Sequence, residues 1–184
     1  TDHLLIYGTA DGSIEYYSLA DHKVLDGCHR RHDVGVKYLF PNEAGTRIVY
    51  VDVAGQGFLY NPVTTQVIEI PCFGTCGVKH VMWDTADWGV FVAADATDFH
   101  TYVYSPLTIN GPVISKVGPL EVRDNGDMRI DEKQRTPIPT GFEPILAYNG
   151  RVICQAQNGQ LDSVLLASHD QLDGGSGNDR GRKS

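Results

Sequence analysis

Val36-Lys37-Tyr38-Leu39-Phe40-Pro41-Asn42-Glu43-Ala44-Gly45-Thr46-Arg47-Ile48-Val49-Tyr50-Val51-Asp52-Val53, continued through Gly57-Phe58-Leu59-Tyr60-Asn61 to Gln66-Val67-Ile68-Glu69-Ile70, contains four short apolar runs separated by turn residues. Between the first two runs, Pro41 presets φ and Gly45 tolerates a positive φ. Arg47 to Val53 places Val49, Val51 and Val53 on one face and Ile48 and Tyr50 on the other. Both faces are apolar, as expected of a strand packed on two sides. Ala54-Gly55-Gln56 and Pro62-Val63-Thr64-Thr65 supply the remaining turns. No link has room for a crossover helix, so the stretch reads as an antiparallel four-stranded meander. It has the form of a propeller blade.

The pattern repeats. Turn signals recur at Asp11-Gly12, Ala54-Gly55, Thr97-Asp98 and Asn158-Gly159. Gly12 and Gly55 are 43 residues apart, as are Gly55 and Asp98; Asp98 and Gly159 are 61 apart, one period with 18 residues inserted. A period near 43 falls within the roughly 40–45 residues of WD40-type blades. On this register an incomplete blade occupies residues 3–33, with His3 to Gly8, Ser13 to Leu19 and Lys23 to Gly27 as its second, third and outer strands. A full blade follows at 34–71 and another at 78–117, the latter built from Val78–Trp83, Gly89–Ala94, Phe99–Tyr104 and Val113–Val117. Residues 118–142 are polar and without periodicity, which predicts a loosely ordered surface insertion. An incomplete blade resumes at 144–167, starting at Pro144 and lacking an outer strand. Residues 170–184 are low-complexity and expected to be disordered. The predicted fold is all-β, a partial WD40-like propeller of about three and a half blades spanning residues 3–169.

A broken ring has a physical consequence. Propeller blades cover one another's faces, and an interrupted ring leaves a face bare at each end. At roughly 25 cal/mol per Å² of apolar area, such faces favour adhesion. The isolated chain is therefore expected to self-associate, aggregate or pair with a covering partner.

The formal charge of -8 argues against nucleic-acid binding, and short basic patches at His29 to His32 and Arg180 to Lys183 do not reverse it. No apolar run is long enough for a spanning helix, so direct membrane insertion is not expected. Four scattered cysteines do not form a secreted disulfide framework and point to a reducing, intracellular setting. The chain starts at Thr1 without an initiator methionine, which suggests a piece of a longer protein.

Candidate chemistry is sparse. Cys72, Cys76 and His80 have metal-like spacing, with Cys28, His29 and His32 one period earlier, but no matching fourth ligand follows. The His29-Arg30-Arg31-His32-Asp33 run suits either an anion patch or a solvated loop. Asp21-His22 with Asp26 suggests an oriented imidazole but lacks a nucleophile and oxyanion donors. Asp95 and Asp98 flank a hairpin and read as turn residues. Gly55-Gln56-Gly57 precedes a strand instead of a helix and fails the context for dinucleotide binding. Trp83-Asp84 spells the WD dipeptide, but at the end of a first strand, and reads as coincidence. A propeller enzyme would carry ionisable residues at equivalent first-strand starts, where the register places Val36, Val78 and Pro144. No catalytic, cofactor-binding or metal residue is assigned, and no cofactor is expected.

The wording of the blades goes further than their spacing. Val34 to Asp52, Gly57-Phe58-Leu59-Tyr60-Asn61-Pro62-Val63, Ile68-Glu69-Ile70-Pro71, Gly89-Val90-Phe91-Val92-Ala93, Thr101-Tyr102-Val103-Tyr104, Leu146-Ala147-Tyr148-Asn149-Gly150 and Cys154 to Gly159 resemble, in order, segments of the intraflagellar transport protein 144 family, also called WD repeat-containing protein 19. The likeness runs from about Thr1 to about His169, leaving the insertion and the tail outside it, and matches the second propeller of that family. It implies a non-enzymatic scaffold within intraflagellar transport complex A, in the cilium and cytoplasm. The implied roles are retrograde transport and ciliary cargo entry. The implied partners are other complex A subunits and Tubby-like adaptors. A propeller of a coat or vesicle-trafficking complex is the alternative.

Overall fold

The computed structural model describes residues 3–71, 73–75, 77–117, 120–122, 128–130 and 136–166. Strand β1 (Leu4–Gly8) pairs antiparallel with β2 (Ser13–Ser18), which also pairs with two short strands, β3 (Lys23–Val24) and β4 (Arg30–Arg31). The second sheet runs β5 (Val36–Pro41), β6 (Ile48–Asp52), β7 (Gly57–Asn61) and β8 (Gln66–Glu69) in sequence order. The third runs β9 (His80–Trp83), β10 (Val90–Ala94), β11 (Asp98–Ser105) and β12 (Val113–Val117). Beyond it, β13 (Leu120–Val122) and β14 (Met128–Ile130) form a separate hairpin, and β15 (Thr136–Pro137) returns to pair with β11. The fourth sheet is β16 (Phe142–Tyr148), β17 (Arg151–Ala156) and β18 (Leu161–Leu165). Every ladder is antiparallel, and the only helical element among the described residues is a 3-10 turn at Asp26–Cys28. No helix there is long and apolar enough to cross a membrane.

The strand alternation read from the sequence becomes two-sided packing. Successive side chains of a strand point to opposite faces. Ile48 and Tyr50 of β6 join Ile14 and Tyr16 in a core between the first and second sheets. Val49 and Val51 of the same strand join Phe91, Ala93 and Tyr102 between the second and third. Val92 and Ala94 of β10 then face Ala147, Val152 and Cys154 between the third and fourth. Val53, assigned to the Val49 face, lies past the strand end and is exposed. Each inner strand packs beside the next: β5 against β9, and β9 against β16. Three cores stacked between four radial sheets define a propeller arc.

The outer position is interrupted in two sheets. In the first, β3 covers Tyr17–Ser18 and β4 covers Ser13–Ile14, with the 3-10 turn between them. In the third, β12 covers Thr101–Ser105 and β15 covers Asp98–Phe99. The eighteen residues 118–135 thus leave and rejoin one outer strand. That number equals the excess over one period in the sequence, whereas the polar boundaries 118–142 reach too far. Thr136 and Pro137 belong to the third sheet, Ile138 packs on the third core, and β16 begins at Phe142 ahead of Pro144. Polarity misled here because a strand flanked by loop residues shows no alternation of its own. β9 likewise begins at His80 instead of Val78, because Val78 and Lys79 lead into the ladder without joining it as strand. The region 170–184 lies outside the described residues.

Candidate interaction surface

The residues with unusual chemistry mostly fasten one blade to the next. Asp84 follows β9 and is buried. Its Oδ1 accepts from the backbone N–H groups of Asn149 at 2.9 Å, Ala86 at 2.8 Å and Asp87 at 3.2 Å, and its Oδ2 accepts from Gly150 at 2.8 Å. Asn149 and Gly150 form the two-residue turn between β16 and β17, with φ of 49° and 72°. An Asn-Gly pair suits such a turn because both central residues need positive φ. That geometry points two adjacent amides at one carboxylate of the preceding blade. Burial pushes the Asp84 carboxyl up, but the amides of Gly150, Ala86, Asn149 and Asp87 outweigh it and hold the group below the usual carboxylate range. The WD dipeptide does stand at the end of a first strand, as its register predicts, and there both of its side chains make joints. Asp84 clasps the third blade to the fourth, and Trp83 Nε1 donates to the Phe40 carbonyl of the second blade at 2.9 Å.

Tyrosines make the other joints. Tyr16 donates its hydroxyl to the Gly45 carbonyl at 3.1 Å, and Tyr60 donates to the Cys28 carbonyl at 3.0 Å. Burial raises both phenols above their ordinary range. The run His29 to Asp33 is not the continuous patch or loop that its composition suggests. Arg30 and Arg31 form β4, His29 Nδ1 lies 2.8 Å from Glu15 Oε1, and His32 turns inward. There His32 Nε2 sits 3.2 Å from Asp52 Oδ2, its Nδ1 sits 3.3 Å from the Tyr50 hydroxyl, and its ring lies against Phe58. Burial, partly offset by Arg30, pushes Tyr50 up to about 12.

Asp95 fastens a turn. Its Oδ1 accepts from the amides of Thr97 at 2.7 Å and Asp98 at 2.8 Å, and His100 Nε2 lies 2.9 Å from its Oδ2. Burial opposes ionisation, but His100 and those two amides bring the carboxyl down to about 2. Asp21 Oδ2 accepts from Ser18 Oγ, and His22 occupies a left-handed turn position at φ 53°. Gly57 is required by contact: a Cβ there would stand 2.3 Å from the Phe73 ring. Cys72 and Cys76 lie outside the described residues. His80 stands edge-on to Phe40 and lines an open cavity of about 740 Å³ with Glu143, Gln155 and Gln157. Among the described residues, no three His, Cys, Asp or Glu side chains converge as a metal cluster. The inner-strand starts hold Val36, His80 and Phe142, so one of the three is ionisable.

What the ends of the arc offer is apolar surface. On the first sheet, Leu5 (52 % exposed), Tyr7 and Val24 share the side turned away from the second blade, where Leu5 lies opposite Tyr17 and Tyr17 opposite Val24. On the fourth, Leu146, Tyr148, Leu161 and Leu165 face outward; the last two are 61 % and 63 % exposed. Large aliphatic and aromatic groups repeated on one sheet face are the signature of a surface that adheres.

The fold and these surfaces define a β-propeller of the WD-repeat class, a platform built for contact. The family model described as WDR19 second beta-propeller matches residues 1–169, and the chain belongs to that family. It is 36 % identical over 174 residues to WD repeat-containing protein 19 of Mus musculus, covering 94 % of this chain and 12 % of that protein. The Homo sapiens protein of the same name is 34 % identical over 171 residues, covering 92 % and 11 %. The chain thus spans about an eighth of the length of these relatives or less. Among solved structures, the Myceliophteria thermophila Cps50 (Swd1) β-propeller domain superimposes with a TM-score of 0.50 at 11 % identity, over 88 % of this chain and 48 % of that domain. That likeness shows the fold.

Proposed function

We propose that the chain is a protein-interaction scaffold of an intraflagellar transport complex A subunit, serving retrograde ciliary transport and ciliary cargo entry. The match to the second propeller of the WD repeat-containing protein 19 family over residues 1–169 carries this reading. The geometry supports it. Asp84, Tyr16 and Tyr60 are spent on joints between blades, and the exposed surface presents apolar sheet faces at the ends of the arc. A scaffold works through rigid surfaces and needs no reacting group. Other complex A subunits and Tubby-like adaptors are the proposed partners, at the ciliary base and axoneme. Affinity capture of the full-length parent protein from ciliated cells tests the proposal: complex A subunits should co-purify in stoichiometric amounts. Recovery of coat or vesicle-trafficking components in their place would overturn it.

A further inference from the structure

We propose that the cleft between loops 84–89 and 106–112 of the third sheet binds an extended segment of a partner protein in which an arginine stands among aliphatic residues. This rests on the reading of the chain as a contact platform and names one surface for it. The cleft belongs to an interior blade, so neither end face of the arc contributes to it.

The meander brings the two loops together. β9 passes into β10 through 84–89 and β11 into β12 through 106–112, at the same end of the antiparallel sheet. Tyr104 N–H donates to the Gly89 carbonyl at 2.7 Å and ties one loop to the base of the other. Between them opens a cleft of about 390 Å³, lined among others by Asp87, Trp88, Val103, Pro106 and Leu107. Trp88 is 64 % exposed, Leu107 94 %, and Ile109 entirely so. Large apolar side chains grouped at adjoining loop tips mark a contact site, where scattered ones would not.

Hydrogen bonds fix the backbone that displays them. Asp84 accepts from the amides of Ala86 and Asp87, Asp87 Oδ1 from that of Gly89 at 3.0 Å, and the Asp87 carbonyl from that of Val90 at 3.0 Å. Trp88 thus projects from a turn that is closed on both sides. In the facing loop, Gly111, at φ 91°, donates to the Thr108 carbonyl at 3.1 Å. A backbone fixed beforehand has little freedom left to lose on binding.

Charge selects the guest. From 80 to 115 the sequence holds no Lys or Arg and four aspartates, Asp84, Asp87, Asp95 and Asp98. Asp84 is enclosed by amides, and the turn between Asp95 and Asp98 lies at the other end of the sheet. That leaves the Asp87 carboxylate in the cleft, next to Trp88. An arginine suits both groups, pairing with the carboxylate and stacking on the indole. Aliphatic neighbours would then cover Leu107 and Ile109. A cleft near the lower end of ligand-pocket volumes admits the side chains of one segment more readily than a broad folded surface. An anionic membrane would gain no attraction from a stretch without a basic residue. The chain's own basic run, Arg180-Gly181-Arg182-Lys183, contains no aliphatic residue and does not match.

The experiment uses the full-length parent protein and a fluorescein-labelled ten-residue peptide with one arginine between leucines and a photo-crosslinking benzophenone at one end. Anisotropy should show saturable binding, and mass spectrometry should place the crosslinks in 84–89 and 106–112, a readout that needs no variant. Trp88→Ala should weaken binding about tenfold. Asp87→Asn, which keeps an acceptor for the Gly89 N–H, should weaken it about threefold. A peptide with glutamate in place of arginine should bind more weakly than either variant binds the original. Absence of binding, equal binding of the glutamate peptide, crosslinks confined to other segments, or unchanged affinity in Trp88→Ala overturns the proposal. So does retention of the parent by neutral phosphatidylcholine vesicles that is abolished by Leu107→Ser with Ile109→Ser, since the loops would then be lipid contacts. None of these outcomes touches complex membership, which the capture experiment reads separately.

Discussion

Trp83 and Phe40 stand 43 residues apart, one repeat of the sequence, and the indole N–H of the first donates to the backbone carbonyl of the second at 2.9 Å. Equivalent positions on consecutive inner strands are thereby tied directly, across the joint between the second and third blades. The Trp83 ring also lies 5.2 Å from the Phe91 ring, so one side chain serves both the joint and the core of its own sheet. Trp83→Phe should keep most of the ring contact and lose the hydrogen bond. The expected cost is about 1 kcal/mol, read as a shift of the urea midpoint at unchanged slope.

Asp84 has a larger role. Asp84→Ala strands four amides that the carboxylate now accepts, and the loss should be about 3 kcal/mol in urea unfolding. Amide exchange at Asn149 and Gly150 should accelerate in the same variant even under strongly native conditions. Exchange in β6 should follow only the global change.

Gly57→Ala tests the contact between the second blade and Phe73. The added methyl would overlap a ring that is 1 % exposed and has little freedom to move. Overpacking of this kind should cost about 2 kcal/mol. A second change, Phe73→Leu, should recover part of it in a double-mutant cycle.

Asp95 gives the fold an acid-sensitive component. Its folded pKa, about 2, lies below the ordinary value of 3.8, so ionisation favours the folded state. The contribution is fully present above about pH 4 and is lost as pH falls through 2, amounting to about 2 kcal/mol. Asp95→Asn should be less stable at pH 6, and the gap to the parent chain should narrow as both are acidified. Urea midpoints at a series of pH values check this.

The exposed leucines at the ends of the arc should govern self-association without governing stability. Leu161→Ser with Leu165→Ser should reduce the apparent mass in light scattering at a given concentration. The unfolding midpoint should move by only about 0.5 kcal/mol or less, as is usual for surface changes. Association that persists with both leucines and Leu5 replaced would locate the adhesive surface elsewhere.

Local rules made the blades legible in the chain. Alternation in β6 and β10 assigned their two faces, and these residues do divide between neighbouring cores. Turn chemistry at Asn149-Gly150 and Gly55 placed the hairpins. The joints were harder to read. Asp84 meets amides 65 and 66 positions away, and no window of sequence contains both partners. Composition failed at 136–142 for a related reason. Thr136 and Pro137 are strand only because β11 offers them an open edge beside β12.

The sequence by itself determined the main strands of the four sheets, their period and the two-sided burial of the middle ones, but not the short strands at Arg30–Arg31, Leu120–Val122, Met128–Ile130 and Thr136–Pro137. What it determined follows from side-chain alternation and turn preference, which act over a few residues. Only the tertiary structure decided that Asp84 clasps two blades, that the outer strands of the first and third sheets are split, and which leucines remain bare. Those outcomes depend on which backbone groups and faces meet across distant parts of the chain. A carboxylate's partner or a strand's neighbour is fixed by the packing of whole sheets, where desolvated polar groups must be satisfied and apolar faces covered.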